Sequence, residues 1–158
     1  MNELMTTKEG MSKAAATKRI LLVEDDSTFV TFLGEMLRRI DPWVQLDLAT
    51  NEVEARFLIW DSVIKKKKYD LVITDIYLES FRNGLDLWKS FHEEFGEKMI
   101  VISSIDYGKM LELLGETTLK PFYLKKPLDA ETSMKFIKSL LQLRAVNFKG
   151  KRTLYSEE

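Results

Sequence analysis

The sequence contains no cysteine and only one histidine among its 158 residues. The absence of cysteine excludes disulfides, thiolate metal sites and cysteine catalysis, and it fits a reducing cytoplasm. The single histidine, His92, lies in a charged helical segment beside Glu93 and Glu94. We therefore expect His92 to be solvated rather than to bind a metal or carry phosphate.

Neither a charge bias nor a long apolar run is present. The 24 basic and 25 acidic side chains give a formal charge of -1, which argues against binding to nucleic acid or to an anionic membrane. Apolar runs extend over only a few residues, so we expect no transmembrane helix and no signal peptide. P-loop and GxGxxG motifs are also missing, which gives a nucleotide-binding enzyme little support. These features predict a soluble, cytoplasmic protein with one well-buried core.

The most informative stretch that is present covers residues 69–78, YDLVITDIYL. Its unbroken apolar run ends in a single acid, Asp75, which is the pattern of a fully buried parallel strand. Parallel sheets bind their ligands at the carboxyl ends of their strands, so Asp75 is the candidate reactive residue. On its own, Asp75 could equally well cap the strand or the following turn.

Four other segments have strand patterns, and helical patterns alternate with them. These strands are expected at 18–23, 43–49, 99–102 and 122–125. Apolar residues at intervals of three and four predict helices, the first capped by Asp26 or Ser27 and the second by Asn51. A short fourth helix is expected within 106–115, and Asp129 caps a last helix that runs to about Ala145. Five strands alternating with five helices predict an α/β fold with a parallel sheet covered on both faces.

The two ends of the chain lack this regular pattern. Residues 1–17 show no sustained periodicity, and we expect a flexible N-terminal tail there. A second tail is expected over 147–158, which leaves 18–146 as the folded domain. No internal repeat, low-complexity segment or second domain interrupts it.

Unusual polar residues follow four of the five predicted strands. They are Glu24 and Asp25 after the first, Asp75 after the third, Ser103 after the fourth and Lys126 after the fifth. Because the carboxyl ends of parallel strands share one edge of the sheet, all five can converge on one crevice.

Four motifs in order, ILLVEDD, VITDIYL followed by Gly84-Leu85, VISS and YLKKP, resemble the receiver domains of bacterial two-component response regulators over roughly 18–145. The resemblance is to the single-domain, chemotaxis-regulator type. It implies a flavodoxin-like three-layer α/β/α sandwich whose five parallel strands have the order 2-1-3-4-5. Two departures, Glu79 in place of a proline and TTLKPF before the fifth strand, leave the nearby loop shape and the bounds of the fourth helix open.

By this resemblance, Mg²⁺ is the cofactor. Asp25, Asp75 and the backbone carbonyl of Tyr77 bind it directly, and Glu24 acts through water. Crowded carboxylates need a cation, and Mg²⁺ suits them because it takes one or two carboxylates, keeps several waters and accepts a phosphate oxygen. Asp26, next in the chain, is expected to cap a helix rather than to bind metal.

The resemblance also implies that Asp75 attacks the phosphorus of a phosphohistidine donor and becomes an aspartyl phosphate. Lys126 pairs with a phosphate oxygen and the Ser103 hydroxyl donates to another. Ser103 and Tyr123 then switch a surface made by the fourth helix, fifth strand and fifth helix. Taken singly, Lys126, Ser103 and Tyr123 could be ordinary surface or strand residues.

The implied function is a stand-alone receiver without a DNA-binding effector domain. Its phosphate comes from a sensor histidine kinase or a histidine phosphotransfer protein, and its target is an unidentified downstream protein. It is a signalling phosphoacceptor that assists its own phosphorylation and dephosphorylation, not an enzyme. Two alternatives stay open, a Mg²⁺-dependent aspartate-nucleophile phosphatase and a degenerate receiver used only for docking. The phosphatase would need a second acid where the chain has Tyr77, and the intact acids argue against the docking module.

Two further expectations concern bulky side chains. Tyr77 and Ile105 occupy positions that, in the family, control water access to the phosphoryl group, which predicts slow hydrolysis. Phe57, Trp60 and Ile64 form a second apolar stripe on the second helix, opposite its core stripe. That stripe predicts a partner or homodimer surface, or a contact with one of the tails.

Overall fold

The computed structural model describes residues 17–78 and 83–142. Within these residues, five strands alternate with five α helices. The strands are β1 (Arg19–Val23), β2 (Gln45–Ala49), β3 (Leu71–Asp75), β4 (Met99–Ser103) and β5 (Phe122–Lys125). The helices are α1 (Ser27–Ile40), α2 (Glu52–Ile64), α3 (Gly84–Phe95), α4 (Tyr107–Leu114) and α5 (Ala130–Gln142). A 3-10 turn over Gly96–Lys98 leads directly into β4.

All five strands are parallel and form one sheet in the order β2-β1-β3-β4-β5. This is the order that the resemblance implied, so the predicted fold class is confirmed. β1 and β3 are neighbours, with Leu22 paired to Ile73. At the carboxyl edge of the sheet, Ser103 is paired to Lys125, the last residue of β5.

Strand side chains alternate between two separate cores, which is the period-two geometry of a sheet buried on both faces. Leu21, Val72 and Val101 point into a core shared with α2, α3 and α4. Leu22 and Ile73 point the other way, into a core shared with α1 and α5. The helices therefore form a layer on each face, as the periodicity predicts.

Side-chain caps fix the starts of the helices. Asp26, Asn51 and Asp129 accept backbone N–H groups of α1, α2 and α5 at 2.9, 2.9 and 2.8 Å. These three predicted caps are confirmed, and capping of this kind is worth about 1 kcal/mol each. The sequence analysis did not predict that Asn83 caps α3, where it forms a capping box with Asp86.

The second strand begins two residues later than expected. A turn occupies the start of the predicted 43–49 strand, because the backbone N–H of Trp43 donates to Asp41 Oδ1 at 2.9 Å. The Val44 N–H donates to the Asp41 carbonyl at 3.1 Å. Both groups are thereby unavailable to the sheet, and pairing starts at Gln45.

The expectation that His92 is solvated is wrong in part. Its ring is half-buried and stacks on Trp88, with 4.5 Å between ring centroids and 19° between planes. Its Nδ1 lies 3.2 Å from the Trp88 carbonyl and 3.0 Å from the Lys89 carbonyl. His92 therefore packs on its own helix.

Some expectations concern residues that the structure does not describe. They are the N-terminal tail up to residue 16, the position of Glu79, the last helical residues 143–145 and the tail over 147–158. Within the described parts, 17–78 and 83–142, no helix is both long and apolar enough to span a bilayer.

Tyr69 packs beneath the amino-terminal edge of the sheet. Its hydroxyl donates to Asp47 Oδ2 at 2.6 Å, and the Arg19 guanidinium lies 4.8 Å from its ring centroid. Replacing Tyr69 with Phe removes a hydrogen bond to a charged group, so we expect the free energy of unfolding to fall by about 1 to 2 kcal/mol. Urea denaturation at neutral pH measures this free energy. Tyr77→Phe is the control, because the Tyr77 side chain is exposed, and it should change the free energy of unfolding by less than about 0.5 kcal/mol.

The same hydrogen bond should make the stability of the protein sensitive to pH in the alkaline range. Burial, followed by the hydrogen bond with Asp47, raises the pKa of Tyr69 above its ordinary value. A raised folded-state pKa means that the contribution is complete below the unfolded value of about 10 and is lost as pH rises toward the folded-state value. Stability of the wild type should fall more steeply above pH ~10 than that of Tyr69→Phe. Parallel profiles for the two proteins would contradict this reading.

Candidate functional site

One ammonium group joins the ends of three strands. Lys126 Nζ donates to Asp75 Oδ2 at 2.7 Å and to Glu24 Oε2 at 2.9 Å. Glu24 is 3% exposed and Asp75 is 8% exposed, so both carboxylates are buried. The structure thus brings together three of the predicted site residues, Glu24, Asp75 and Lys126, from positions far apart in the chain.

The alternation of the strands explains why these three side chains meet. Alternate residues of a strand face the same side of the sheet. Glu24 is two residues beyond Leu22 and Asp75 is two residues beyond Ile73, and both of these hydrophobic residues face the core of α1 and α5. The ladders extend past the strand ends, since the Glu24 N–H donates to the Ala49 carbonyl at 3.0 Å. Side chains of equal parity at one edge of a parallel sheet project to the same side.

Burial sets the electrostatics of the cluster. Burial raises the pKa of Glu24 to about 7, against opposing hydrogen bonds from Lys126 and the Asp26 backbone. Burial alone would lower the pKa of Lys126, but hydrogen bonds to Asp75 and Glu24 outweigh it and raise the pKa above its ordinary value. Lys126 therefore stays charged and is the cation that compensates the two acids.

The two other acids of the EDD run have different environments. Asp25 is exposed and lies in the bend that follows β1, directly after the buried Glu24. Asp26 is occupied as the cap of α1, as expected. Across residues 17–78 and 83–142, no three acidic or histidine side chains converge as a preformed metal cage. Of the predicted metal ligands, the structure clusters Glu24 and Asp75 and leaves Asp25 at the solvent.

The backbone just beyond β3 orients Asp75. The Tyr77 N–H donates to Asp75 Oδ1 at 3.2 Å, so each carboxylate oxygen accepts from one donor among the described residues. The Thr74 hydroxyl donates to the Asp75 carbonyl at 3.0 Å, and the Gly84 N–H donates to the Ile76 carbonyl at 3.0 Å. Asp75 is thereby fixed at both its side chain and its main chain.

Gly84 contacts the main chain of Asp75 more closely than any other residue type could. A Cβ atom built on Gly84 would lie 1.9 Å from the Asp75 carbonyl oxygen and 2.8 Å from Thr74 Oγ1. In the sequence, Gly84 is identified only as part of a motif. The packing of α3 on the end of β3 shows that a glycine is required here to leave space for the main chain of Asp75.

Ser103 and Tyr123 lie on the opposite face of the sheet edge. Ser103 is buried, and its Oγ accepts the Ile105 N–H at 3.4 Å. The Tyr123 hydroxyl donates to the Ser103 carbonyl at 3.2 Å and also to the Ile105 carbonyl. Burial raises the pKa of Tyr123 to about 12, so the hydroxyl stays protonated as a donor. Both predicted switch residues therefore contact the connection between β4 and α4.

Phe29 is a site residue that sequence analysis missed. The Lys126 ammonium lies 4.1 Å from the centroid of its ring, within the range of a cation–π interaction. The periodicity identified Phe29 only as part of the apolar face of α1. Its place in the first turn, five residues after Glu24, is the signal that it borders the same crevice.

The two positions expected to control water access differ in exposure. The Tyr77 side chain is 55% exposed, whereas Ile105 is half-buried and packs against the core of α2, α3 and α4. Beside them, Lys125 forms an ion pair with the exposed Asp106. This neighbouring lysine therefore faces solvent, in contrast to Lys126.

A buried acid pair held by one lysine at the carboxyl edge of a 2-1-3-4-5 sheet is the architecture of a phosphoacceptor signalling domain. A family model described as the response regulator receiver domain matches residues 20–138. The chain belongs to this family and is a receiver domain of two-component response regulators.

Known proteins of several organisms are similar to the chain. The two-component response regulator ARR21 of Arabidopsis thaliana is 27% identical over 139 residues, which is 88% of this chain and 21% of that protein. The chain thus spans about a fifth of that relative. The receiver domain of a DNA-binding response regulator from Colwellia psychrerythraea 34H is 21% identical, with a TM-score of 0.63 over 80% of this chain and 99% of that one.

Two further solved structures share the fold. A two-component response regulator from Clostridium difficile is 26% identical, with a TM-score of 0.58 over 78% of this chain and 95% of that one. The receiver domain of sensor histidine kinase PA1611 from Pseudomonas aeruginosa PAO1 is 18% identical, with a TM-score of 0.60. It covers 79% of this chain and 98% of that one, and a magnesium ion is coordinated in its active site cleft.

Proposed function

We propose that Asp75 is the phosphoacceptor of this receiver domain. The observation that carries the proposal is the contact of one half-buried ammonium, that of Lys126, with the buried carboxylates of Asp75 and Glu24. In the transfer, an Asp75 carboxylate oxygen forms a bond to phosphorus while the phosphorus–nitrogen bond of a phosphohistidine breaks. The leaving imidazole keeps the electron pair of that bond. A sensor histidine kinase or a histidine phosphotransfer protein would supply the phosphohistidine.

Lys126 and Ser103 would bind the transferred group. Lys126 Nζ is already 2.7 Å from the acceptor carboxylate, so the same ammonium can reach a phosphoryl oxygen without a new cation entering the site. Ser103 is the last residue of β4, which is next to β3 in the sheet, and its Oγ can donate to another oxygen. Positioning and charge compensation of this kind supply most of the catalysis in phosphoryl transfer.

The residues present fit Mg²⁺ chemically, because oxygen donors surround the acceptor and Mg²⁺ needs only one or two carboxylates. Asp25, Asp75 and the Tyr77 carbonyl would bind it, with Glu24 acting through water. When bound, the ion neutralises crowded carboxylates and offers a ligand position to a phosphate oxygen. The magnesium in the cleft of the Pseudomonas aeruginosa receiver supports the assignment.

Ser103 and Tyr123 would form the switch. The Tyr123 hydroxyl donates to carbonyls of Ser103 and Ile105, so any movement of Ser103 toward a phosphoryl group disturbs both bonds. These residues border α4, which with β5 and α5 would form the surface read by a downstream protein. The protein would act as a cytoplasmic phosphoacceptor that assists its own phosphorylation and dephosphorylation, and not as an enzyme. A phosphatase reading is not favoured, because Tyr77 occupies the position of its second acid.

Phosphorylation by a small donor tests the proposal directly. Wild type incubated with acetyl phosphate and Mg²⁺ should gain the mass of one phosphoryl group, and the gain should disappear with a chelator. Asp75→Asn should gain none under the same conditions, because an amide cannot act as the carboxylate nucleophile. Intact-mass spectrometry of both proteins is the measurement. An Asp75→Asn protein that is phosphorylated as fully as wild type would refute the assignment.

The bulk of Tyr77 should slow loss of the phosphoryl group. Its side chain is exposed directly beyond the acceptor strand, where it can restrict the approach of water. Tyr77→Asn should accelerate dephosphorylation by about tenfold, equivalent to about 1.4 kcal/mol in activation free energy. Tyr77→Phe keeps the bulk and serves as the control, with an expected lifetime equal to wild type. The lifetimes follow from the decay of the phosphorylated mass. Equal lifetimes for all three proteins would contradict the role proposed for Tyr77.

A further inference from the structure

We propose that α2 is a homodimer interface, in which α2 of a second copy of this chain packs antiparallel against an exposed apolar stripe. The stripe consists of Val53, Phe57, Trp60 and Ile64, whose exposed fractions are 69%, 69%, 56% and 76%. The opposite side of the same helix packs into the protein through Ala55, Ile59 and Ser62. α2 is therefore apolar on both faces, and only one of them is covered within the described chain.

The spacing of the stripe favours a helix as the partner. Its residues follow one another at intervals of four, three and four, which is the spacing of the seam between two packed helices. The intervals read the same in both directions, so a two-fold axis can superimpose the stripe on itself. In an antiparallel pair, Val53 would face Ile64 of the partner subunit, and Phe57 would face Trp60 of the partner subunit.

The area of the stripe also suits a dimer. Its four side chains expose on the order of 500 Å², near the upper end of the roughly 300–600 Å² found for the largest apolar patch of a monomer. A standard interface buries about 800 Å² per partner. The stripe could provide the apolar centre of such an interface, with charged residues beside it forming the rim.

The charges at the two ends of α2 determine the orientation. Glu54 is exposed in its first turn, where Glu52 is buried and paired with Arg56, and four exposed lysines, 65–68, follow its last turn. Lys65 pairs with Asp61 and Lys68 with Glu94, while within the described residues no ion pair involves Lys66 or Lys67. An antiparallel pair sets the basic end of one helix beside the acidic end of the other, whereas a parallel pair would oppose two lysine runs.

Trp60 is the anchor of the proposed interface. Its ring forms a T-shaped contact with Phe91 of α3, with 5.6 Å between centroids and 71° between planes. An aromatic side chain that is partly fixed in the free protein loses little conformational entropy on binding. Buried aromatic anchors of this kind carry much of the binding energy in interfaces.

Analytical ultracentrifugation over a concentration series tests the interface. Wild type should show a concentration-dependent dimer, and Trp60→Glu should weaken it by at least about 30-fold. Leu119→Glu is the matched control, because Leu119 is also a large exposed apolar residue but lies outside α2. Circular dichroism checks that the variants are folded. A dimer that survives in Trp60→Glu would overturn the proposal.

The orientation can be tested by disulfide formation, because the chain contains no cysteine. Under oxidation, a mixture of Val53→Cys and Ile64→Cys proteins should form a cross-linked heterodimer, and Val53→Cys alone should not cross-link. Rapid cross-linking of Val53→Cys to itself would instead indicate parallel helices and overturn the arrangement.

Other occupants of the stripe would give different results. A wild type that stays monomeric, but dimerises once residues 1–16 are deleted, would assign the stripe to the chain's own N-terminal segment. A monomer that binds phosphatidylserine vesicles through Trp60 would assign it to lipid. Each result overturns the dimer. Asp75→Asn should dimerise like wild type, so the outcome is separate from that of the phosphoacceptor proposal.

Discussion

Replacing Lys126 with Met is expected to lower the free energy of unfolding by about 3 kcal/mol, because it removes the one cation between two buried carboxylates. Lys126 Nζ contacts both Glu24 and Asp75, and no solvent can replace it fully where these acids are 3% and 8% exposed. Part of the loss would be offset by proton uptake on Glu24, whose pKa burial already raises to about 7. Phosphorylation of Asp75 by acetyl phosphate should also fall sharply.

A divalent cation should partly reverse this loss. With the ammonium gone, Mg²⁺ is the remaining counter-charge for the acids. Mg²⁺ at about 10 mM should therefore raise the melting temperature of Lys126→Met more than that of wild type. Lys125→Met is the matched control, since among the described residues the ion pair of Lys125 is with the exposed Asp106, and solvent screens such an exposed pair so that it adds little stability. Urea denaturation with and without Mg²⁺ measures all three proteins. Equal destabilisation by the two lysine substitutions would contradict the role given to Lys126.

Sequence periodicity predicts most of this fold because each strand and helix obeys a local rule. The unbroken apolar run before Asp75 and the caps Asp26, Asn51 and Asp129 were identified from short-range patterns, and the structure confirms them. The order of the strands came from a family resemblance. Strand order depends on contacts between distant segments, which no local pattern specifies.

The candidate site was predicted in outline, and its division between two faces was not. Alternate residues along each strand face the same core, so the face of each site residue can be read from the buried residues before it. Glu24, Asp75 and Lys126 continue the residues that face one core, whereas Ser103 and Tyr123 continue those that face the other. The acids and lysine therefore lie toward α1 and α5, and the hydroxyl pair toward α4. Applied to the sequence, the same count predicts that Glu24 and Asp75 project to one side of the sheet edge.

Contacts between a helix and a strand end cannot be predicted from the alternation of residues along a strand. The ring of Phe29 reaches Lys126 only because α1 packs over the end of β1, and the stacking of His92 on Trp88 depends on rotamers. Side-chain geometry of this type is decided by tertiary packing, which overrides local propensity. The same holds for Gly84, whose requirement for a missing side chain is visible only beside Asp75.

Gly84→Ala is expected to be among the most damaging single-methyl additions in the described chain. The new Cβ would lie 1.9 Å from the Asp75 carbonyl oxygen and 2.8 Å from its carbonyl carbon, both main-chain atoms that cannot rotate away. Either α3 or the end of β3 must move, so we expect a loss of about 3 kcal/mol or more in the free energy of unfolding. A shift of the acceptor by about 1 Å should also slow phosphorylation by roughly 10²-fold.

Gly108→Ala provides the control that separates this clash from a general effect of adding a methyl group. Gly108 lies in α4, and apart from its chain neighbours and the adjacent backbone of its own helix, a Cβ there meets no described atom within 4 Å. Alanine should therefore leave stability unchanged or raise it by about 0.5 to 1 kcal/mol through its helix preference. Urea denaturation and the rate of phosphorylation by acetyl phosphate compare both variants with wild type. If Gly84→Ala behaved like Gly108→Ala in both measurements, α3 would have to move away from the new methyl group without any loss of stability. The close packing of α3 on the end of β3 would then be wrong.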